Sequence, residues 1–149
     1  MNNDNETLLD KAIQNLNCAM VIYNSELIED EAYLNYVGYH LQQAVELSIK
    51  NTLEMSGIEY SKTHNIEQLI QLANNYDIDL GITDYIDDKA EMFSSWEAKT
   101  RYIKNYKLER RKVEKAITEV EKYIDNLIKQ KDILLEINNV EDDFDDFGK

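Results

Sequence analysis

The chain has 149 residues, 30 acidic against 16 basic, a net charge of −14 at pH 7, four glycines, no proline and one cysteine. That length fits one domain with a single core, and a lone cysteine, Cys18, excludes an intrachain disulfide and suits a reducing compartment. No apolar run approaches the roughly 20 residues of a bilayer-spanning helix, and the start lacks the basic-then-apolar pattern of a secretory leader. A cytoplasmic protein with no membrane contact is therefore expected. The absence of proline and the wealth of Leu, Ile, Glu, Lys and Gln point to an all-α fold.

Leu9, Ile13, Leu16, Met20 and Tyr23 recur at alternating steps of four and three, which predicts an amphipathic helix over about residues 6–25. A second helix is expected over about 29–55, with Tyr33, Val37, Leu41, Ala44 and Ser48 on one stripe and Gly57 at its C-terminal cap. Thr63 or Asn65 can cap a short third helix through Ile66, Leu69, Ile70 and Ala73, and Thr83 a fourth carrying Ile86, Ala90, Phe93 and Trp96. The last helix should run over about 107–137, where Val113, Ile117, Val120, Ile124, Leu127 and Leu134 follow a seven-residue repeat interrupted by Lys131. Four to five helices joined by short loops make an up-and-down antiparallel bundle. We assign residues 1–140 to that domain and residues 141–149, with five acids in the first six positions, to a disordered acidic tail. Ile133, Leu134, Leu135 and Ile137 outreach a compact core, and a second subunit is expected to cover them, making a homodimer.

His40 and His64 fall on different elements and neither has a metal-ligand spacing, so no metal site is expected, and no glycine-rich motif implies a nucleotide cofactor. His40 reads as a partly buried, hydrogen-bonded residue and His64 as a helix-start residue. Cys18 has no basic neighbour that would make it a nucleophile. Glu46 and Lys50, four apart, form a favoured helical ion pair. With Gln43 they read as a polar seam holding the second, third and last helices in register.

The segment KTRYIKNYKLERRKVEK is different. Lys99, Arg101, Lys104, Lys107, Arg110, Arg111, Lys112 and Lys115 face only Glu109 and Glu114, a local charge of +6 in a chain whose remainder carries −20. Cations hold phosphates and aromatic faces stack bases, so Arg101, Lys104, Lys107, Arg110 and Arg111 are the candidate phosphate-binding residues, with Tyr102 or Tyr106 stacking.

The run YHLQQAVELSIKNTLEMSGIEYSKTHNIEQL, followed by Arg101 and Tyr102, resembles the HEPN family, the nucleotide-binding helical domains of higher eukaryotes and prokaryotes. Gln43, Ala44, Glu46, Lys50, Gly57, Thr63 and His64 match the family pattern in order and spacing. The resemblance implies a bundle of four or five helices, often dimeric. It also implies a setting in bacterial toxin-antitoxin or other defence systems, often beside a nucleotidyltransferase partner. Many relatives are metal-independent RNases that carry a histidine separated from the arginine by four to six intervening residues. Here Arg101 is followed at those places by Tyr106, Lys107 and Leu108; the unperturbed pKa of tyrosine and lysine, near 10, makes them poor bases at neutral pH. The departure favours a binding module for nucleotide or nucleic acid, RNA before DNA, over a nuclease in which Arg101 would act. The alternative is a dimeric interaction partner of a nucleotidyltransferase.

Overall fold

The computed structural model describes residues 5–147, with side chains through residue 139. Six α-helices follow one another: α1 (Leu8–Tyr23), α2 (Leu34–Met55), α3 (Ile66–Asn75), α4 (Asp84–Asp88), α5 (Ala90–Tyr102) and α6 (Arg110–Phe147). No strand occurs among the described residues, and the all-α expectation holds.

Local chemistry sets most boundaries. Thr7 and Asp10 form a reciprocal capping box at the start of α1. Gly57, at φ +73°, ends α2, and the Ile58 amide closes the turn by donating to the Leu53 carbonyl at 2.9 Å. Asn65, rather than Thr63, caps α3 by accepting from the Gln68 amide; Thr63 accepts from the amide of Asn65. The second helix begins at Leu34, later than the expected position near 29. Ser25 and Asp30 accept hydrogen bonds from the amides of Leu27 and Ala32, which fixes two short 3₁₀ turns, Glu26–Glu29 and Glu31–Tyr33, in place of α-helix. The expected fourth helix divides at Lys89 into α4 and α5, and both pieces bury apolar side chains: Ile86 on the first, Ala90, Phe93 and Trp96 on the second.

α1, α2, α5 and α6 alternate in direction around one core. At one end of the α1/α2 pair the Leu9 amide donates to Asn51, and further along His40 Nδ1 meets Asn15 Oδ1 at 2.8 Å. α5 runs back along α2, Trp96 packing beside Gly38. α6 returns along α1, where the Tyr23 hydroxyl donates to Glu114. Val113, Ala116, Val120, Tyr123 and Ile124 carry α6 through the core.

At 38 residues α6 is about 57 Å long, and it extends past the body of the bundle. Ile133, Leu134, Leu135 and Ile137 lie on that extension, about half exposed. The side chains of the acidic tail, residues 141–149, lie outside those described. No described helix is long and apolar enough to cross a membrane.

Candidate nucleic-acid interface

One face of α2 carries Tyr39, Gln42, Gln43, Glu46 and Lys50 at steps of three and four. It meets the segment before α3 and the outer half of α5. Glu46 is 2% exposed, and a carboxylate so far from water needs partners. It has three. Gln42 Nε2 donates to Oε1 at 2.9 Å, Lys50 Nζ to Oε2 at 3.1 Å, and His64 Nδ1 lies 3.0 Å from Oε1. A carboxylate can only accept there, so the His64 ring donates from Nδ1 and turns Nε2 outward. Lys50 also lies over the Tyr60 ring at 5.5 Å. Burial, and then the hydrogen bond to Glu54, raise the Tyr60 hydroxyl to about 12.

The seam continues onto α5. Glu97 Oε1 lies 3.8 Å from His64 Nε2 and pairs with Arg101 Nη2 one turn on, while Arg101 Nε donates to the Glu97 carbonyl at 2.9 Å. The guanidinium is also flanked by two rings, with Cζ 5.1 Å from the Tyr39 centroid and 4.8 Å from that of Tyr102. Arg101 therefore sits where the buried seam reaches the surface, and Tyr102 beyond it is 70% exposed.

The connection from α5 to α6 is pinned from α2. Asn35 Nδ2 donates to the Tyr106 carbonyl, Asn35 Oδ1 accepts from the Leu108 amide at 3.2 Å, and Leu108 is buried against Gly38 and Trp96. A Cβ on Gly38 would stand 2.2 Å from Leu108 Cδ1, so glycine here lets Leu108 pack directly on α2. Asn105 at φ +63° makes the tight corner, a conformation asparagine tolerates better than most residues. Beside these pins Lys104 and Lys107 are exposed.

The expected site residues thus divide. Arg101, Tyr102, Lys104 and Lys107 come together on the end of α5 and the pinned connection, and Arg111 is exposed on the first turn of α6. Tyr106 is half-buried with its ring against the core. Arg110 is half-buried and donates from Nη2 to the Ile28 carbonyl at 3.0 Å, tying α6 to the turns after α1. Of the remaining cations, Lys112 reaches Glu109 at 3.8 Å, and Lys115 lies 3.3 Å from Glu119 and over the Tyr85 ring.

The seam also corrects a sequence reading. Its hydrogen bonds join α2 to the start of α3, and His64 and Glu97 carry it on to α5, not to the last helix. Tyr39 and Glu97 went unnoticed in the sequence, and His64, read as a helix-start residue, is a bridge between two carboxylates. The spacing of four between Glu97 and Arg101 was the one available signal. Among the described residues no group of three His, Cys, Asp or Glu side chains could hold a metal ion.

No curated protein and no solved structure matches the chain. A family model described as the HEPN domain matches residues 6–131, from before α1 to beyond the last buried residue of α6. The all-helical bundle and the extent of that match agree, and the chain belongs to the HEPN domain family.

Proposed function

We propose that this HEPN chain binds nucleotide or nucleic acid, RNA in preference to DNA, on the surface formed by the end of α5, the pinned connection and the first turn of α6. The observation that carries the reading is Tyr102: a ring 70% exposed, backed by the Arg101 guanidinium at 4.8 Å and surrounded in sequence by the exposed Lys99, Lys104, Lys107 and Arg111. An exposed aromatic face stacks an unpaired base, and neighbouring cations hold the flanking phosphates. Tyr102 is the stacking residue and Arg101 the central cation, while Arg110 anchors the helix that presents Arg111.

Fluorescence-anisotropy titration with labelled single-stranded RNA and DNA at about 50 and about 200 mM salt tests this. Saturable binding that weakens with salt, prefers RNA, and falls at least about tenfold in Arg101→Glu with Arg111→Glu is expected. No binding at the lower salt would refute the reading.

A second reading has its own observation. Ile133, Leu134, Leu135 and Ile137, each about half exposed on the α6 extension, form an apolar stretch that a second copy or a partner such as a nucleotidyltransferase would cover. Light scattering on the purified chain distinguishes dimer from monomer. A defence or toxin-antitoxin setting rests on family likeness and is tested by expression with and without the neighbouring genes.

A further inference from the structure

Arg101 is already engaged by a carboxylate. Glu97 Oε1 pairs with Nη2, and the Glu97 side chain is itself only 12% exposed. The same oxygen lies 3.8 Å from His64 Nε2, too far for a hydrogen bond but within ion-pair reach. His64 cannot swing freely, because Nδ1 is held by buried Glu46, yet its side chain is 61% exposed and Nε2 is open to water and protons. One carboxylate oxygen therefore stands between a permanent cation and a group that becomes a cation when protonated.

Two consequences follow. A phosphate approaching Arg101 meets a guanidinium that already holds a carboxylate through Nη2, and phosphate and carboxylate compete for that cation. In neutral His64 the Nε2 lone pair faces Glu97 Oε1, acceptor against acceptor; a proton on Nε2 makes that contact attractive.

We infer that Glu97 is an internal competitor for the anion-binding face of Arg101, and that His64 sets how firmly it competes. Ligand phosphate takes the guanidinium by displacing Glu97, and protonated His64 receives the displaced carboxylate. The inference rests on the binding reading above and adds regulation to that site. The charged and titratable groups around His64 are Glu46 and Lys50 on α2, with Tyr60 beside Lys50, and Glu97 and Arg101 on α5.

The test uses the full chain and a labelled single-stranded RNA oligonucleotide at fixed salt, titrated at about pH 8 and about pH 6. Glu97→Gln keeps the side-chain shape and should tighten binding about threefold to tenfold at pH 8. Glu109→Gln removes the same charge from the same basic window without touching Arg101, and its affinity should stay within about twofold of wild type. Wild type should bind more tightly at the lower pH, and both Glu97→Gln and His64→Gln should lose most of that response. A Glu97→Gln affinity no higher than that of Glu109→Gln, or a pH response surviving in both variants, overturns the competition while leaving the binding reading in place. Absence of binding by both wild type and Glu97→Gln removes the two proposals together.

Discussion

On one side of Arg101 lies the seam of α2, the segment before α3 and α5, where Glu46 is 2% exposed and faces three donors. On the other lies the α5–α6 connection, where Lys104 and Lys107 stand in water. Both regions are charged, and both looked polar in the sequence. They differ in what holds the charge. At Glu46 the charge has fixed partners and its removal leaves the largely buried Lys50 uncompensated; in the connection the backbone is pinned by uncharged groups, Asn35 and Leu108, and the cations can serve a ligand. Stability and binding are therefore expected to separate when the two regions are mutated.

The largest effect should come from the seam. Glu46→Ala strands Lys50, only 12% exposed, and leaves Gln42 and the His64 ring without their acceptor. Breaking a buried pair in this way costs about 3–5 kcal/mol, measurable as a large fall in the denaturation midpoint. A loss below about 1 kcal/mol, the scale of a surface pair, would mean that water reaches Glu46 and that the contrast between the regions is overstated.

Gly38→Ala attacks the junction between them. Its Cβ would collide with Leu108 Cδ1 at 2.2 Å and crowd Trp96 Cε3 at 3.3 Å, so Leu108, which anchors the connection to α2, must shift. Overpacking of this kind costs about 1–3 kcal/mol. Because the segment that Leu108 anchors carries Lys104 and Lys107, RNA affinity should fall with stability, which the anisotropy titration and a thermal melt report together.

Lys104→Glu with Lys107→Glu should do the reverse. Both residues are exposed, and no hydrogen bond or ion pair is seen for either side chain among the described residues, so stability should change by no more than about 0.5 kcal/mol. Binding should weaken, and the slope of log affinity against log salt should flatten by about 1.4, about 0.7 for each lost phosphate contact on a single strand. A protein destabilised by this pair but binding RNA as before would assign these lysines to the fold.

How much of this was readable depends on the range of the forces involved. The stripes of α1, α2 and α6 follow from the 3.6-residue period, and the turn at Gly57 from a glycine after an apolar run, because both are local. The start of α2 was not, since Ser25 and Asp30 bond to nearby amides and divert the chain before its apolar period begins. Arg110 looked like one more surface cation, yet its acceptor, the Ile28 carbonyl, is 82 positions away. His64 acquires its role from Glu46 and Glu97 on two other elements, and no spacing along the chain reveals that convergence.

The smallest effect probes the α1/α2 face on the other side of Arg101's neighbour Tyr39. His40 packs edge-on against Tyr39 with Nδ1 on Asn15, and burial holds its pKa below the ordinary 6.5. The unfolded chain therefore takes up this proton at a higher pH than the folded one. Above about pH 7 both forms are neutral and His40 adds no pH dependence; as pH falls through 6.5 toward the folded value, stability declines, and below that value the loss is constant. Other groups titrate in the same range, so the difference between wild type and His40→Gln isolates the contribution of His40. The glutamine can still donate to Asn15 but does not titrate. Between about pH 7.5 and about pH 5.5 its melting temperature should fall less than that of wild type, by no more than about 2 °C. A wild-type protein that loses no more on acidification than the variant would mean that the imidazolium is accommodated at the α1/α2 interface, and that this face, like the basic connection, tolerates charge that the Glu46 seam does not.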